Sequence, residues 1–204
     1  MTAWVLSYIW LWDGAFPGHF ALCAALYFTI GYAAHRRRGE TPHDIGLRLD
    51  NWRPAAREAV LALGPYLVIP LVVGFFADSL RGPTAGWPLA VTARILWGTA
   101  QQYGLVCFYY RRLGELLGSS RAAIAAAAML FALFHLPNPA LTLITLSAGA
   151  ICCWLYRRTP NLIVLGVAHG VISFVLGRSL PDAWLIGMRV GPGCIRYATE
   201  LFGS

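Results

Sequence analysis

Charge is scarce in this chain. Only 12% of its 204 residues are Asp, Glu, Lys or Arg, 58% are hydrophobic, and mean hydropathy is +0.59. A soluble domain carries about a quarter charged residues, so an integral membrane protein is expected. Lysine is missing altogether, and all 16 basic residues are arginine. Schiff-base chemistry and pyridoxal phosphate attachment are thereby excluded. The five cysteines (Cys23, Cys107, Cys152, Cys153 and Cys194) show no CxxC spacing. Four lie in apolar runs, where cysteine acts as a small hydrophobe, so neither disulfides nor a zinc ribbon is expected. HExxH is absent as well. Met1 to Trp12 is apolar, with no basic residues ahead of it and no convincing small-residue cleavage site, and is read as part of the membrane domain rather than a removable leader.

What is present is a series of apolar runs separated by short polar loops. A spanning helix needs about 20 apolar residues. The runs place spans near 15–34, 59–77, 88–110, 122–136, 140–156 and 161–177, with an interfacial helix ahead of them at 3–12. The expected fold is all-α: a polytopic transmembrane helical bundle of about six spans plus an amphipathic linker segment, in one membrane-embedded domain over 1–204. The net charge of +7 could point to nucleic acid. The arginines instead sit in loops at 35–57, 111–121 and 157–160, while the loops at 78–87 and 137–139 are not basic. That alternation is the positive-inside pattern, with the basic loops cytoplasmic and both termini outside. It argues for the lipid bilayer as a partner and against nucleic acid.

Three of the apolar runs carry polar groups that hydrocarbon should exclude. His135 closes the run Met129-Leu-Phe-Ala-Leu-Phe-His135, and Phe131, four residues earlier, shares its helix face. His169 sits inside the run 161–177, and Gln101 with Gln102 inside 88–110. Such groups cost several kcal/mol in lipid unless they find partners, so they are expected to meet in one polar cavity. Each has a plainer reading taken alone. A membrane histidine can bond a neighbour, paired glutamines can join helices, Phe131 can simply pack, and Ser173 can bond back to its own helix.

Taken together, Phe131-x-x-x-His135 followed by His169-x-x-x-Ser173 resembles the second and third motifs of the CPBP family. These are the CAAX prenyl endopeptidases and related bacterial proteins, often named abortive-infection or bacteriocin-processing proteins. The family pattern is Glu-Glu-x-x-x-Arg, Phe-x-x-x-His, then His-x-x-x-Asn or Asp. Asp44-Ile-Gly-Leu-Arg48 also resembles the family's linker, so the likeness extends over about 40–177. It implies an intramembrane endopeptidase of a bacterial inner (plasma) membrane, acting on a membrane-associated protein or peptide. The first glutamate would activate water, and the histidines and amide would orient it or stabilise an oxyanion.

The first motif departs: Gln101 and Gln102 replace both glutamates, Val106 the arginine, and Ser173 the last amide or carboxylate. A glutamine cannot take a proton from water near neutral pH; it can orient water or donate to an oxyanion. A neutral histidine is the remaining candidate base. The expected catalytic set is therefore His135, His169, Gln101 and Gln102, supported by Phe131, Ser173 and Asn138, although the Pro-Asn-Pro turn alone accounts for Asn138. Two histidines fall short of the three protein ligands of a catalytic zinc. No cofactor is expected, and His135 and His169 would be the ligands if a metal bound. The first rival is a catalytically inactive relative that binds membrane-protein clients through the same cavity. The second, a small carrier or channel, predicts a continuous water-lined path, whereas the sequence offers one local polar cluster and no charged residue mid-span beyond histidine.

Overall fold

The computed structural model describes residues 1–12 and 16–203. Ala15, where the first expected span opens, and Ser204, at the end of the expected domain, lie outside the described residues. Among the described residues every regular element is helical, and the sequence's own punctuation sets the ends. Helix α1 (Thr2–Ser7) widens into a π-helical turn at Tyr8–Trp12, and α2 covers His19–Arg37. Helices α3 (Trp52–Leu63) and α4 (Pro65–Phe76) are two halves of one apolar run bent by 42°. The bend falls at Gly64-Pro65, where proline offers no N–H to the helical ladder.

Helix α5 (Trp87–Gln102) continues through a π-helical stretch, Tyr103–Tyr110, into α6 (Arg111–Leu117). The basic loop expected at 111–121 is therefore mostly helix. Gly118, at φ 60, ends it, because a left-handed residue cannot continue a right-handed ladder and glycine adopts it freely. Helices α7 (Ser120–Leu133), α8 (Pro139–Arg158) and α9 (Leu162–Ser179) each begin at a side-chain cap. Asn138 Oδ1 accepts the Leu141 amide at 3.1 Å, and Asn161 Oδ1 accepts the Val164 amide at 2.9 Å. These caps satisfy amides that the first turn leaves free. The tail folds as α10 (Asp182–Leu185), a 3₁₀ turn at Ile186–Met188 and α11 (Gly191–Phe202).

The expected linker over 35–57 divides in three: His35–Arg37 close α2, 38–51 are turns, and from Trp52 the chain enters α3, which buries Ala55, Ala59 and Leu63 and turns Arg53 and Arg57 outward. By length and apolarity alone, α8 and α9 can each cross a bilayer, and α3 with α4 makes a third crossing if the bent pair is one span. Helices also occupy the other expected spans, but α7, at 14 residues, is short. Length and apolarity by themselves thus mark two to three crossings among the described residues.

The three basic segments converge at one end of the bundle. Glu40 bridges Arg111 and Arg112 and meets His35 Nδ1 at 2.5 Å. Asn161 donates to the Arg48 carbonyl at 2.9 Å and to Asn51 Oδ1 at 2.8 Å, and Thr159 donates to Glu58 at 2.9 Å. At the other end Arg81 pairs with Asp182 at 2.7 Å. Between the ends, α5 lies directly on α9 at two glycines. A Cβ on Gly170 would stand 2.4 Å from Ile95 Cα, and one on Gly166 would stand 2.2 Å from Thr99 Oγ1. Small residues are what bring membrane helices this close, and the contact sets α5's polar side chains against those of α9.

Candidate active site

A cavity of about 310 Å³ opens between α5, α7, α8 and α9, with α1 and α2 along one side. Gln101, Gln102, Phe131, His135, His169 and Ser173 all line it. Six residues expected from three separate apolar runs thus line one cavity. Asn138 does not line it. Besides capping α8, Asn138 donates to the carbonyls of Leu185 at 2.6 Å and Arg189 at 3.1 Å. It is fully buried as the rivet between the start of α8 and the tail.

Gln102 and His169 are directly bonded: the amide Nε2 donates to His169 Nδ1 at 3.0 Å. The same amide nitrogen reaches Cys152 Sγ at 3.5 Å, and Gln102 Oε1 is buried without a partner. With Nδ1 accepting, His169 carries its proton on Nε2, which is then its one donor. His135 has the opposite tautomer. Its Nδ1 lies 2.8 Å from the Phe131 carbonyl oxygen, which only accepts, so Nδ1 holds the proton and Nε2 keeps its lone pair. The Phe131 ring sets the spacing of the pair, with centroids 4.9 Å from His135 and 6.0 Å from His169, both edge-on. Phe131 is packing, as expected of it, but the packing orders two imidazoles of complementary hydrogen-bonding character.

Why the chain turns this way at Gln101-Gln102 is visible in the next turn. The helix widens into the π-helical stretch immediately after Gln102, a distortion that recurs at functional sites. Tyr27 braces the junction, its hydroxyl donating to the Ala100 carbonyl at 2.9 Å. Val106, in the register of the family's arginine, is fully buried. Arg111 and Arg112 are not its substitutes: both lie at the basic end, on Glu40.

One residue of the cavity escaped the sequence reading. Arg94 lines the wall and donates to Ser173 Oγ at 3.2 Å. The expectation that no span holds a charge beyond histidine is therefore wrong, and Ser173 is engaged across the helix interface rather than with its own helix. The signal was present. Arg94 lies within an apolar run, seven residues before Gln101, which is two helix turns along one face.

The donor set does not fit a catalytic zinc site. No group of three or more His, Cys, Asp or Glu side chains stands together among the described residues, and such a site takes three protein ligands. Glu115 pairs with Arg38 at 2.6 Å and Asp182 with Arg81, so neither acid supplies the cavity.

Residues 83–175 match the family model described as "Type II CAAX prenyl endopeptidase Rce1-like". No curated protein and no solved structure is significantly similar to the chain. The matched segment contains all six cavity residues expected from the sequence and Arg94, but not the linker around Asp44.

Proposed function

We propose that this integral membrane protein is a CAAX-protease-like intramembrane endopeptidase in which histidine has taken over from glutamate, a reading supported by the match of residues 83–175 to the Rce1-like family model. A bacterial inner membrane is the setting proposed for it. The observation that carries this reading is the pair of opposed imidazole tautomers on either side of Phe131. In the proposed step His135 Nε2 takes a proton from water, and the water oxygen attacks the peptide carbonyl carbon. His169 Nε2–H donates to the oxygen as negative charge gathers there, with Gln101 helping to place the water. Collapse of the tetrahedral species breaks the C–N bond, and the proton on His135 passes to the departing amine. Gln102 acts through His169, holding Nδ1 as an acceptor so that Nε2 must donate. The substrate is a peptide bond of a membrane-associated protein or peptide, and no metal takes part.

A second reading is favoured by a specific observation. Both motif glutamates and the motif arginine are replaced together, by Gln101, Gln102 and Val106, which is the pattern expected of a relative that binds membrane-protein clients without cutting them. One experiment separates the two. A labelled transmembrane peptide is incubated in proteoliposomes with the wild type, His169→Ala and the double variant Gln101→Glu with Gln102→Glu. Cleavage by the wild type that His169→Ala loses supports the endopeptidase, and greater cleavage by the double variant shows that the site geometry accepts the family's usual base. Equal inertness of wild type and His169→Ala ends the endopeptidase reading in favour of client binding.

A further inference from the structure

Arg94 is a cation in the wrong solvent unless something answers it. It lies seven residues into α5, about 10 Å along the axis from Trp87. Its one hydrogen bond among the described residues goes to a neutral hydroxyl, Ser173 Oγ, at 3.2 Å. Six other arginines have an acid partner, and Arg53, Arg178 and Arg189 stand over aromatic rings. Arg38, Arg48, Arg81, Arg111, Arg112 and Arg158 all form ion pairs, and Arg94 forms none among the described residues. Among the described residues no aspartate or glutamate lines the cavity. Its remaining wall is predominantly aliphatic and aromatic, with Phe20, Tyr27, Phe28 and Trp97 on the side that faces α2 and α5. An ionised group inside a bilayer is expensive without a partner, and its presence marks a place where a partner arrives.

From this we infer that the cavity binds a single apolar chain ending in a carboxylate, with the carboxylate on Arg94. Three features select that ligand. The guanidinium fork accepts a planar carboxylate on two parallel N–H bonds, and Ser173 beside it supplies a further hydroxyl. One guanidinium balances one carboxylate charge, whereas a phosphate monoester would bring about 1.5 to 2. At about 310 Å³ the cavity is at the small end of ligand sites, which suits one chain and not a two-tailed lipid. The inference concerns ligand choice and stands apart from hydrolysis: Arg94 is a specificity residue whether or not the imidazoles cut anything. The carboxylate can come from a free fatty acid or from the C-terminus of a short apolar peptide, and the test is arranged to tell these apart.

The purified full chain in an uncharged detergent is titrated with dodecanoate, dodecanol and dodecylamine in one arm. In the other it is titrated with an apolar tripeptide as free acid and as C-terminal amide. Binding is read directly by calorimetry. The wild type should prefer the acid to its neutral partner by about tenfold to a hundredfold in at least one arm, and the arm that shows it names the source. Arg94→Gln should bring the acid-to-neutral ratio close to one, and Arg94→Lys should keep part of it. Arg94→Glu should reverse the order of dodecanoate and dodecylamine. Equal affinity for acid and neutral forms in both arms of the wild type overturns the inference, as does absence of binding in both. Discrimination that survives Arg94→Gln overturns it as well, and the lysine variant guards against mistaking misfolding for lost charge. Since binding is measured rather than cleavage, an inert enzyme with this preference and an active enzyme without it are separate results.

Discussion

Two polar regions of this molecule are built on opposite terms. At the basic end of the bundle, Glu40 collects Arg111, Arg112 and His35, and the amides of Asn51 and Asn161 are spent on each other and on backbone carbonyls. The charges there answer one another, although His35 Nε2, Arg111 Nε and Arg112 Nε are buried without a partner. In the cavity the account is left open. Among the described residues Gln102 Oε1 is buried without a partner, Arg94 has only a hydroxyl, and the two histidines offer one lone pair and one N–H that no residue takes. A closed network holds helices in place; an open one has capacity left for a ligand or a reacting group. The difference separates polar residues that assemble the bundle from polar residues that await something.

The sharpest way to break this contrast is to remove the lone pair assigned to the base. His135→Ala should lower peptide cleavage by about 10²–10⁴-fold, the usual worth of a positioned general base. Its thermal midpoint in detergent should barely move, since only one side-chain hydrogen bond, from the turn after α7 back to the Phe131 carbonyl, is lost. A large fall in stability instead would place His135 among the residues that assemble the fold. Next in size is the contact that brings α5 against α9. Gly170→Ala puts a Cβ 2.4 Å from the Ile95 Cα atom, so backbones must part. A loss of about 3 kcal/mol in stability is expected, at the upper end of what overpacking usually costs. Because Gln102, Arg94 and their α9 partners face each other across that seam, ligand binding should fall with it. A variant as stable as wild type would show that the helices are not in the described contact.

Asn138 tests the same division from a different side. It carries the polar character that made it a candidate, yet its amide is spent on Leu141, Leu185 and Arg189, outside the cavity. Asn138→Ala should cost about 2 kcal/mol, a lost cap plus two buried carbonyls left without their donor. Cleavage per folded molecule should be unchanged. A selective loss of activity at intact stability would return it to the site.

Much of this was legible in the chain itself. The bundle follows from apolar runs with arginines between them, and the cavity residues follow from asking where His135, His169 and the paired glutamines could hide from lipid. Other features were not legible, for identifiable reasons. Residues 111–117 were read as loop because charge and a helix interior rarely coincide in a membrane protein; the helix persists because those arginines face Glu40 across the turn-rich linker, a contact of long sequence separation. Arg94 is hidden because a single arginine inside an apolar run changes its hydropathy little and does not show which neighbour it meets. Asn138 was carried as a site residue because a sequence shows that an amide must be bonded, not to what. The linker's turns were hidden too, since a stretch rich in arginine and threaded with proline and glycine reads equally as a surface helix or as loop.

The closed network gives the smallest of these effects, and it is the one that depends on pH. Burial alone would raise the Glu40 carboxyl, but hydrogen bonds from Arg112, Arg111 and His35 outweigh it and hold the group down to about 2. A carboxylate with a lowered value stabilises the fold only while it is ionised. Its contribution is therefore complete above the ordinary value of 4.5 and is lost as pH falls toward 2. Glu40→Gln should cost about 1–2 kcal/mol at pH 7, because a neutral amide still bonds the arginines while the charge-assisted part is gone. The wild type's advantage over the variant should stay level from about pH 7 to pH 5 and shrink steadily below about pH 4.5. Asp44 and Asp50, whose carboxyls are also held low by Thr41 and Arg48, titrate in the same window. They do so in both proteins, so the difference between wild type and variant isolates Glu40. An advantage that failed to shrink in acid would mean that Glu40 contributes through shape rather than charge, and the basic end would then be packed rather than paired.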